Sequence, residues 1–268
     1  MKKCISTILS FLLVSSLVAF SHEFSISDNN GNVVFPHVLD MDGEPLKINE
    51  EYSILSVLPG GGSVYLADID NLTECPNDVV KDRSGDFDHS TPVLFYTMQL
   101  GRDHFVYENQ DVSIMFSTSS STKSCFNETV WKAGYYFLGP VHPPPRFVIT
   151  GGTLGIPGPN NIDNWFKIEK YETERPHSYK LRYCPSQYMC PTCQFDCADV
   201  GLYKDMGYTR LALNNMPYPF GFSKLLQAEQ ELWAGSAKAK AEDAEAFKRD
   251  LQNKLAHTTR KVFLTTMS

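Results

Sequence analysis

Short runs of alternating apolar and polar residues, each cut off by Gly, Pro, Asn or Asp, fill the chain from Val33 to about Phe222. Tyr52-Ser-Ile-Leu-Ser-Val57 alternates, Leu58-Pro-Gly-Gly-Gly-Ser63 interrupts it, and Val64-Tyr-Leu-Ala67 resumes. That order predicts strand, turn, strand. Val93–Tyr96, Val112–Phe116, Phe147–Ile149, Trp165–Ile168, Tyr179–Tyr183 and Arg210–Leu213 follow the same rule. Strands at such close, regular spacing predict an all-β barrel or sandwich. Tyr52-Ser-Ile-Leu, Val112-Ser-Ile-Met and Tyr179-Lys-Leu-Arg recur at intervals of about 60 residues, each ahead of a loop and a further β segment. Three such repeats of about four strands would suit a β-trefoil of about twelve strands with pseudo-threefold symmetry.

The two ends break the pattern. Lys2 and Lys3 precede an apolar run from Ile8 to Phe20, and Ala19 and Ser21 are small residues at cleavage positions. This reads as an export signal over 1–21, cut after Ser21 to leave a mature chain from His22. The run is shorter than the ~20 residues needed to span a bilayer, so no membrane association is expected after cleavage. The expected destination is the secretory pathway, ending outside the cell (apoplast) or in the vacuole. At the other end, Leu225 to His257 lacks proline and is rich in Ala, Glu, Lys and Gln. Phe247, Leu251 and Leu255 share one helical face. A helical or partly disordered tail over 225–268 is therefore expected beyond a main domain of 22–224, solvated, engaging a partner, or a read-through extension with no selected role.

Charge and motif content narrow the function. Residues 22–224 carry 25 Asp and Glu against 15 Lys and Arg, an acidic surface that disfavours nucleic acid. No nucleophile elbow, HExxH, P-loop or paired-carboxylate motif is present, so no enzyme activity and no cofactor are expected. Gly151-Gly-Thr-Leu-Gly-Ile-Pro-Gly158 lacks the Lys-Ser/Thr ending of a phosphate cradle and reads as a loop. His89 and His104 read as surface residues.

Cysteine usage adds a frame. Of seven cysteines, Cys4 lies in the signal, leaving Cys75, Cys125, Cys184, Cys190, Cys193 and Cys197. An even set behind an export signal predicts disulfides, no thiol left for a covalent dimer, and so a monomer. Cys190-Pro-Thr-Cys193 has zinc-ligand spacing, but the second half of a zinc ribbon is missing, and no metal is expected. Asn71-Leu-Thr73 and Asn127-Glu-Thr129 are glycosylation sequons, each beside a cysteine.

Val38-Leu-Asp-Met-Asp-Gly-Glu-Pro-Leu46, followed by Tyr52-Ser-Ile54, resembles the N-terminal signature of the plant Kunitz (soybean trypsin inhibitor-like) family. Asp42-Gly43 is a turn dipeptide, and Val38, Leu46, Tyr52 and Ile54 are core candidates. Further matches follow in the family's order: Glu74-Cys-Pro76 with Val79-Val80, Trp165-Phe-Lys-Ile-Glu169, Tyr179-Lys-Leu-Arg-Tyr-Cys-Pro185, and Asp199-Val-Gly201 with Arg210-Leu-Ala-Leu213. The resemblance covers roughly residues 33–224.

The resemblance implies a β-trefoil and a set of bridges that the count alone left open. Cys75–Cys125 would be the long-range bridge, and Cys184–Cys197 would enclose Cys190–Cys193, as in the miraculin-like branch. It also implies a loop that binds a serine endopeptidase of the trypsin type as a substrate would. Counting back without gaps from Val112-Ser-Ile-Met-Phe116 puts the reactive bond at Arg102-Asp103. A one-residue slip would present Leu100-Gly101 to a chymotrypsin-like pocket instead. The chain departs from the family there: Asp103 is charged, Gly101 loosens the backbone, and the loop-supporting asparagine falls on Ile48, beside Asn49. The alternative function is a non-inhibitory storage, taste-active or ligand-binding trefoil of the miraculin-like kind.

Overall fold

The computed structural model describes residues 26–27, 33–69, 77–82, 90–98, 104–117, 129–135 and 145–225. Cys75, Cys125, Asn71, Asn127 and Leu100 through Asp103 lie outside the described residues, as do the signal region 1–21 and the tail from 226 onward. The chain divides into two compact units, the first ending at Pro36 and the second beginning at His37. In the first, β1 (Ile26–Ser27) pairs antiparallel with β2 (Val33–Val34).

Among the described residues the second unit holds twelve strands, and they fall into three repeats in chain order. The first is β3 (Tyr52–Ser56), β4 (Val64–Ala67), β5 (Asp78–Lys81) and β6 (Val93–Thr97). The second is β7 (Val112–Phe116), β8 (Lys132–Ala133), β9 (Val148–Ile149) and β10 (Lys167–Lys170). The third is β11 (Tyr179–Tyr183), β12 (Ala198–Asp205), β13 (Tyr208–Asn214) and β14 (Phe220–Lys224).

Within each repeat the outer two strands build a barrel and the inner two form a hairpin. The barrel runs β3, β6, β7, β10, β11, β14 and back to β3. It closes where Val112 in β7 bridges Phe166, the residue just before β10, through hydrogen bonds of 2.8 and 2.9 Å. The hairpins are β4–β5, β8–β9 and β12–β13. They meet one another as a triangular cap through Arg210 with Val80, Asp78 with Ile149, and Phe147 with Ala212. This is a β-trefoil. Tyr52, Val112 and Tyr179, the starts of the three recurring segments, sit at equivalent places, each paired on both sides. Closure removes the open sheet edges that would otherwise invite pairing with other chains.

The alternation seen in the sequence is the barrel's inside–outside rule. In β6, Val93, Phe95 and Thr97 are buried while Leu94 and Tyr96 face outward. In β11, Tyr179, Leu181 and Tyr183 point in and Lys180 and Arg182 point out. Aromatic rings fill the interior: Phe222 meets Phe95 edge-on at 5.4 Å and Tyr179 at 5.8 Å, and Phe116 meets Trp131 at 5.2 Å. Val38, Leu46, Tyr52 and Ile54 are all in this core.

Some elements differ from the sequence reading. The strand expected over Trp165–Ile168 is shifted, because a 3₁₀ turn at Ile162–Asn164 delivers Trp165 and Phe166 into the interior and β10 starts only at Lys167. All five residues of β3 are buried, so the alternation is lost there, and the Ser90 hydroxyl donates to the buried Ser53 at 2.8 Å. β8 is too short, and β14 too uniformly apolar at its start, for periodicity to mark them.

Candidate functional site

The β6–β7 connection leaves the barrel at Thr97 and returns at Val112, residues that face each other in register. Thr97 is buried, so the entry to the connection is fixed by the barrel wall. Its return, from His104 to Tyr107, is held by an arm at residues 37–48. The Ile48 N–H donates to the His104 carbonyl at 2.8 Å, the Val106 N–H to Leu46 at 2.9 Å, and the Val38 N–H to Val106 at 2.9 Å. His37 packs against the rings of Phe105 and Tyr107 at 4.9 and 4.7 Å. Further along, Asn109 takes a left-handed conformation and donates its N–H to the Ile168 carbonyl at 2.9 Å. Burial raises the Glu108 carboxyl above its ordinary value, against the pull of Lys170. Asp111 then accepts both the N–H (2.9 Å) and the hydroxyl of Ser186.

The arm is itself a built structure. Gly43, at φ +90°, makes its turn, and the buried Asp40 carboxylate accepts the N–H groups of Asp42 and Glu44 at 3.0 and 2.9 Å. Two barrel phenols fasten it: Tyr179 accepts the Leu39 N–H at 2.9 Å, and Tyr52 accepts the Lys47 N–H at 3.0 Å. The Met41 N–H reaches the Phe222 carbonyl at 2.8 Å. Ile48, where the resemblance puts the loop-supporting asparagine, is buried, and the adjacent Asn49 is an exposed, left-handed turn residue. Support for the loop's return therefore comes from backbone hydrogen bonds along the arm. His104 is exposed, while His89 is outside the described residues. Sequence reasoning missed Asp40, Asp111 and the two phenols as backbone acceptors, because a hydrogen bond from side chain to backbone leaves no periodic signal, whether its partner is near (Asp42, Glu44, Lys47) or far (Leu39, Ser186).

Burial pushes the Tyr52 phenol up to about 12, with the Lys47 N–H opposing the rise and Glu50 adding to it. The ordinary value is about 10. A raised folded pKa favours the folded state below about pH 10, and that contribution is lost as pH climbs toward 12. Tyr52→Phe is expected to cost about 1 kcal/mol at neutral pH, from the unmet Lys47 N–H. It should also shallow the loss of stability above pH 10, as read by urea midpoints across the alkaline range. Tyr179 is raised by burial in the same direction and keeps part of that slope.

A second feature follows β11. Cys184 is bridged to Cys197, with Cα atoms 4.5 Å apart, and Cys190 to Cys193, so a small loop sits inside a larger one. No cluster of potential metal ligands occurs among the described residues, and these four sulfurs are all in disulfides.

A three-repeat trefoil with a clamped loop after β6 and nested bridges in the third repeat is the architecture of a protease-inhibitor class. The legume Kunitz family of trypsin and protease inhibitors matches residues 38–224, and the chain belongs to it. These are inhibitors, not enzymes. Miraculin of Synsepalum dulcificum is 36% identical over 230 residues, covering 84% of this chain and 98% of that protein. The Kunitz-type cysteine protease inhibitor PCPI-3 from potato has 73% identity and a TM-score of 0.65, over 72% of this chain and 100% of that one. Soybean trypsin inhibitor, solved in complex with porcine pancreatic trypsin, has 27% identity and a TM-score of 0.54, over 71% and 99%.

Proposed function

We propose that this protein inhibits trypsin-like serine proteases by offering the β6–β7 connection as a substrate mimic, with Arg102-Asp103 as the reactive bond. The observation that carries the reading is the backbone clamp on His104 and Val106, directly after that bond. A loop whose return is already ordered loses little freedom on docking, so modest contact area yields tight binding. The Arg102 guanidinium suits a specificity pocket with a buried carboxylate. The active form is the monomeric chain from His22, secreted or vacuolar, with Cys75 bridged to Cys125 and glycans at Asn71 and Asn127.

The test is an active-site titration of trypsin with the mature, fully oxidised protein. An equimolar end point is expected. Weak or absent inhibition at micromolar protein, with the bridges verified, would remove the Arg102 assignment.

A second reading has its own support. The potato relative with 73% identity is a cysteine protease inhibitor, so this chain is also proposed to act on a cysteine endopeptidase. Inhibition of neither protease class would leave the non-inhibitory role, toward which the likeness to miraculin points.

A further inference from the structure

The loop between Cys184 and Cys197 is held by several contacts, both within itself and to the body of the domain. Its two bridges close it at the ends and across the middle. Its own Met189 and Cys190 are buried, and Phe195 packs edge-on against Tyr183 at 6.3 Å. Asp111 holds Ser186 by two hydrogen bonds. The Met189 carbonyl accepts the Gly158 N–H at 2.8 Å, which joins the loop to the neighbouring 151–161 segment. That segment is seated in turn on the barrel: a Cβ at Gly155 would stand 2.6 Å from the Tyr96 ring, so only glycine allows the approach.

Two large apolar side chains are left outside this immobilised pair. Tyr188 is 73% exposed and Ile156 is 53% exposed. A single exposed apolar residue needs no explanation. Here, though, both belong to loops whose backbones are joined by one hydrogen bond, and both are presented by backbone that is already ordered. Tyrosine on a rigid loop supplies large contact area at little entropic cost, the usual character of a binding anchor. Within the bridged loop Gln187, Pro191, Thr192 and Gln194 carry no charge, and its one charged residue, the exposed Asp196, stands at the far end next to Cys197. The matching surface on a partner is therefore an apolar recess able to take the Tyr188 ring.

We infer that Tyr188, together with Ile156 of the adjoining segment, is the anchor by which this protein docks into the apolar substrate cleft of a cysteine endopeptidase, on a surface other than the Arg102 loop. The inference rests on the cysteine-protease reading above. The two protease classes then meet surfaces of different chemistry: a cationic loop tip matched to a pocket carboxylate, and an uncharged aromatic protrusion.

The experiment measures inhibition of papain and of trypsin by the same oxidised, full-length mature protein and its variants. Tyr188→Ala should raise the papain inhibition constant by roughly 30-fold or more, the scale of a binding hot spot. It should leave the trypsin titration and the thermal midpoint unchanged. Tyr188→Phe should keep papain inhibition within a few-fold of the parent, because the ring makes the contact. Arg102→Ala should leave papain inhibition intact. If the parent inhibits papain and neither Tyr188→Ala nor the Tyr188→Ala, Ile156→Ser double variant weakens it, the surface is wrong while the cysteine-protease reading stands. If the parent does not inhibit papain at micromolar protein, that reading fails and the inference falls with it. Equal loss against both proteases, with the melting temperature unchanged, would overturn the claim of separate surfaces.

Discussion

Arg102→Ala is expected to raise the trypsin inhibition constant on the order of a thousand-fold, about 4 kcal/mol of binding free energy. The size follows from what truncation leaves behind. A trypsin-like pocket holds a buried carboxylate, and removing the guanidinium strands that charge without a partner as well as deleting the contact. Arg102→Lys keeps the charge but loses the planar fork, so an intermediate constant is expected. Unfolding midpoints should be the same for all three proteins, which separates a binding effect from a folding one. Leu100→Ala supplies the test of register: if it abolishes an inhibition of chymotrypsin while Arg102→Ala changes nothing, the reactive bond is Leu100-Gly101. The clamp makes a further demand on the result. Inhibition should survive prolonged incubation, because His104 and Val106 remain tied to Ile48 and Leu46 and keep the return strand in place.

Asp78→Ala is expected to destabilise the fold by about 3 kcal/mol. Asp78 is 5% exposed and lies in the first-repeat hairpin, where it accepts the Ile69 N–H at 3.0 Å and pairs with Arg210 of the third-repeat hairpin. Arg210 also bonds Asp205 at 2.9 Å, and its guanidinium lies 3.8 Å from the centre of the Phe147 ring, which precedes β9 in the second repeat. One cation thus joins the three hairpins of the cap. Removing Asp78 leaves the guanidinium enclosed with a single carboxylate, and the Ile69 N–H without its acceptor. The surviving Asp205 pair keeps the expected cost at the lower end of the range for broken buried pairs. A urea midpoint shift with an unchanged slope would measure it. The double variant Asp78→Leu, Arg210→Met should recover much of the loss, since neither charge is then left alone. A shift under about 1 kcal/mol for the single variant would show that solvent reaches the pair and that the cap does not depend on it.

These two substitutions act on opposite aspects of the molecule. Arg102 lies in the segment proposed to be presented to a protease, so its replacement is expected to change affinity and spare stability. Asp78 is enclosed, so its replacement changes stability first and presentation only by loosening the cap.

The sequence by itself determined the repeat. Tyr52-Ser-Ile-Leu, Val112-Ser-Ile-Met and Tyr179-Lys-Leu-Arg are similar because they fill equivalent barrel positions, and alternation in β6 and β11 is a local property of strands with one buried face. The turn at Asp42-Gly43 and the core places of Val38, Leu46, Tyr52 and Ile54 were legible for the same reason: each depends on neighbours a few residues away. What only the tertiary structure decided are the contacts between residues far apart in the chain. The arm from His37 to Ile48 holds the return of the candidate loop, though some 60 residues separate them. Tyr179 accepts the Leu39 N–H of that arm across 140 residues, and so is not merely a core ring. Asp111 binds the bridged loop 75 residues away, and Arg210 gathers Asp78 across 132. Periodicity records which face of a strand is buried. It carries no record of which distant polar group satisfies a side chain once the barrel closes.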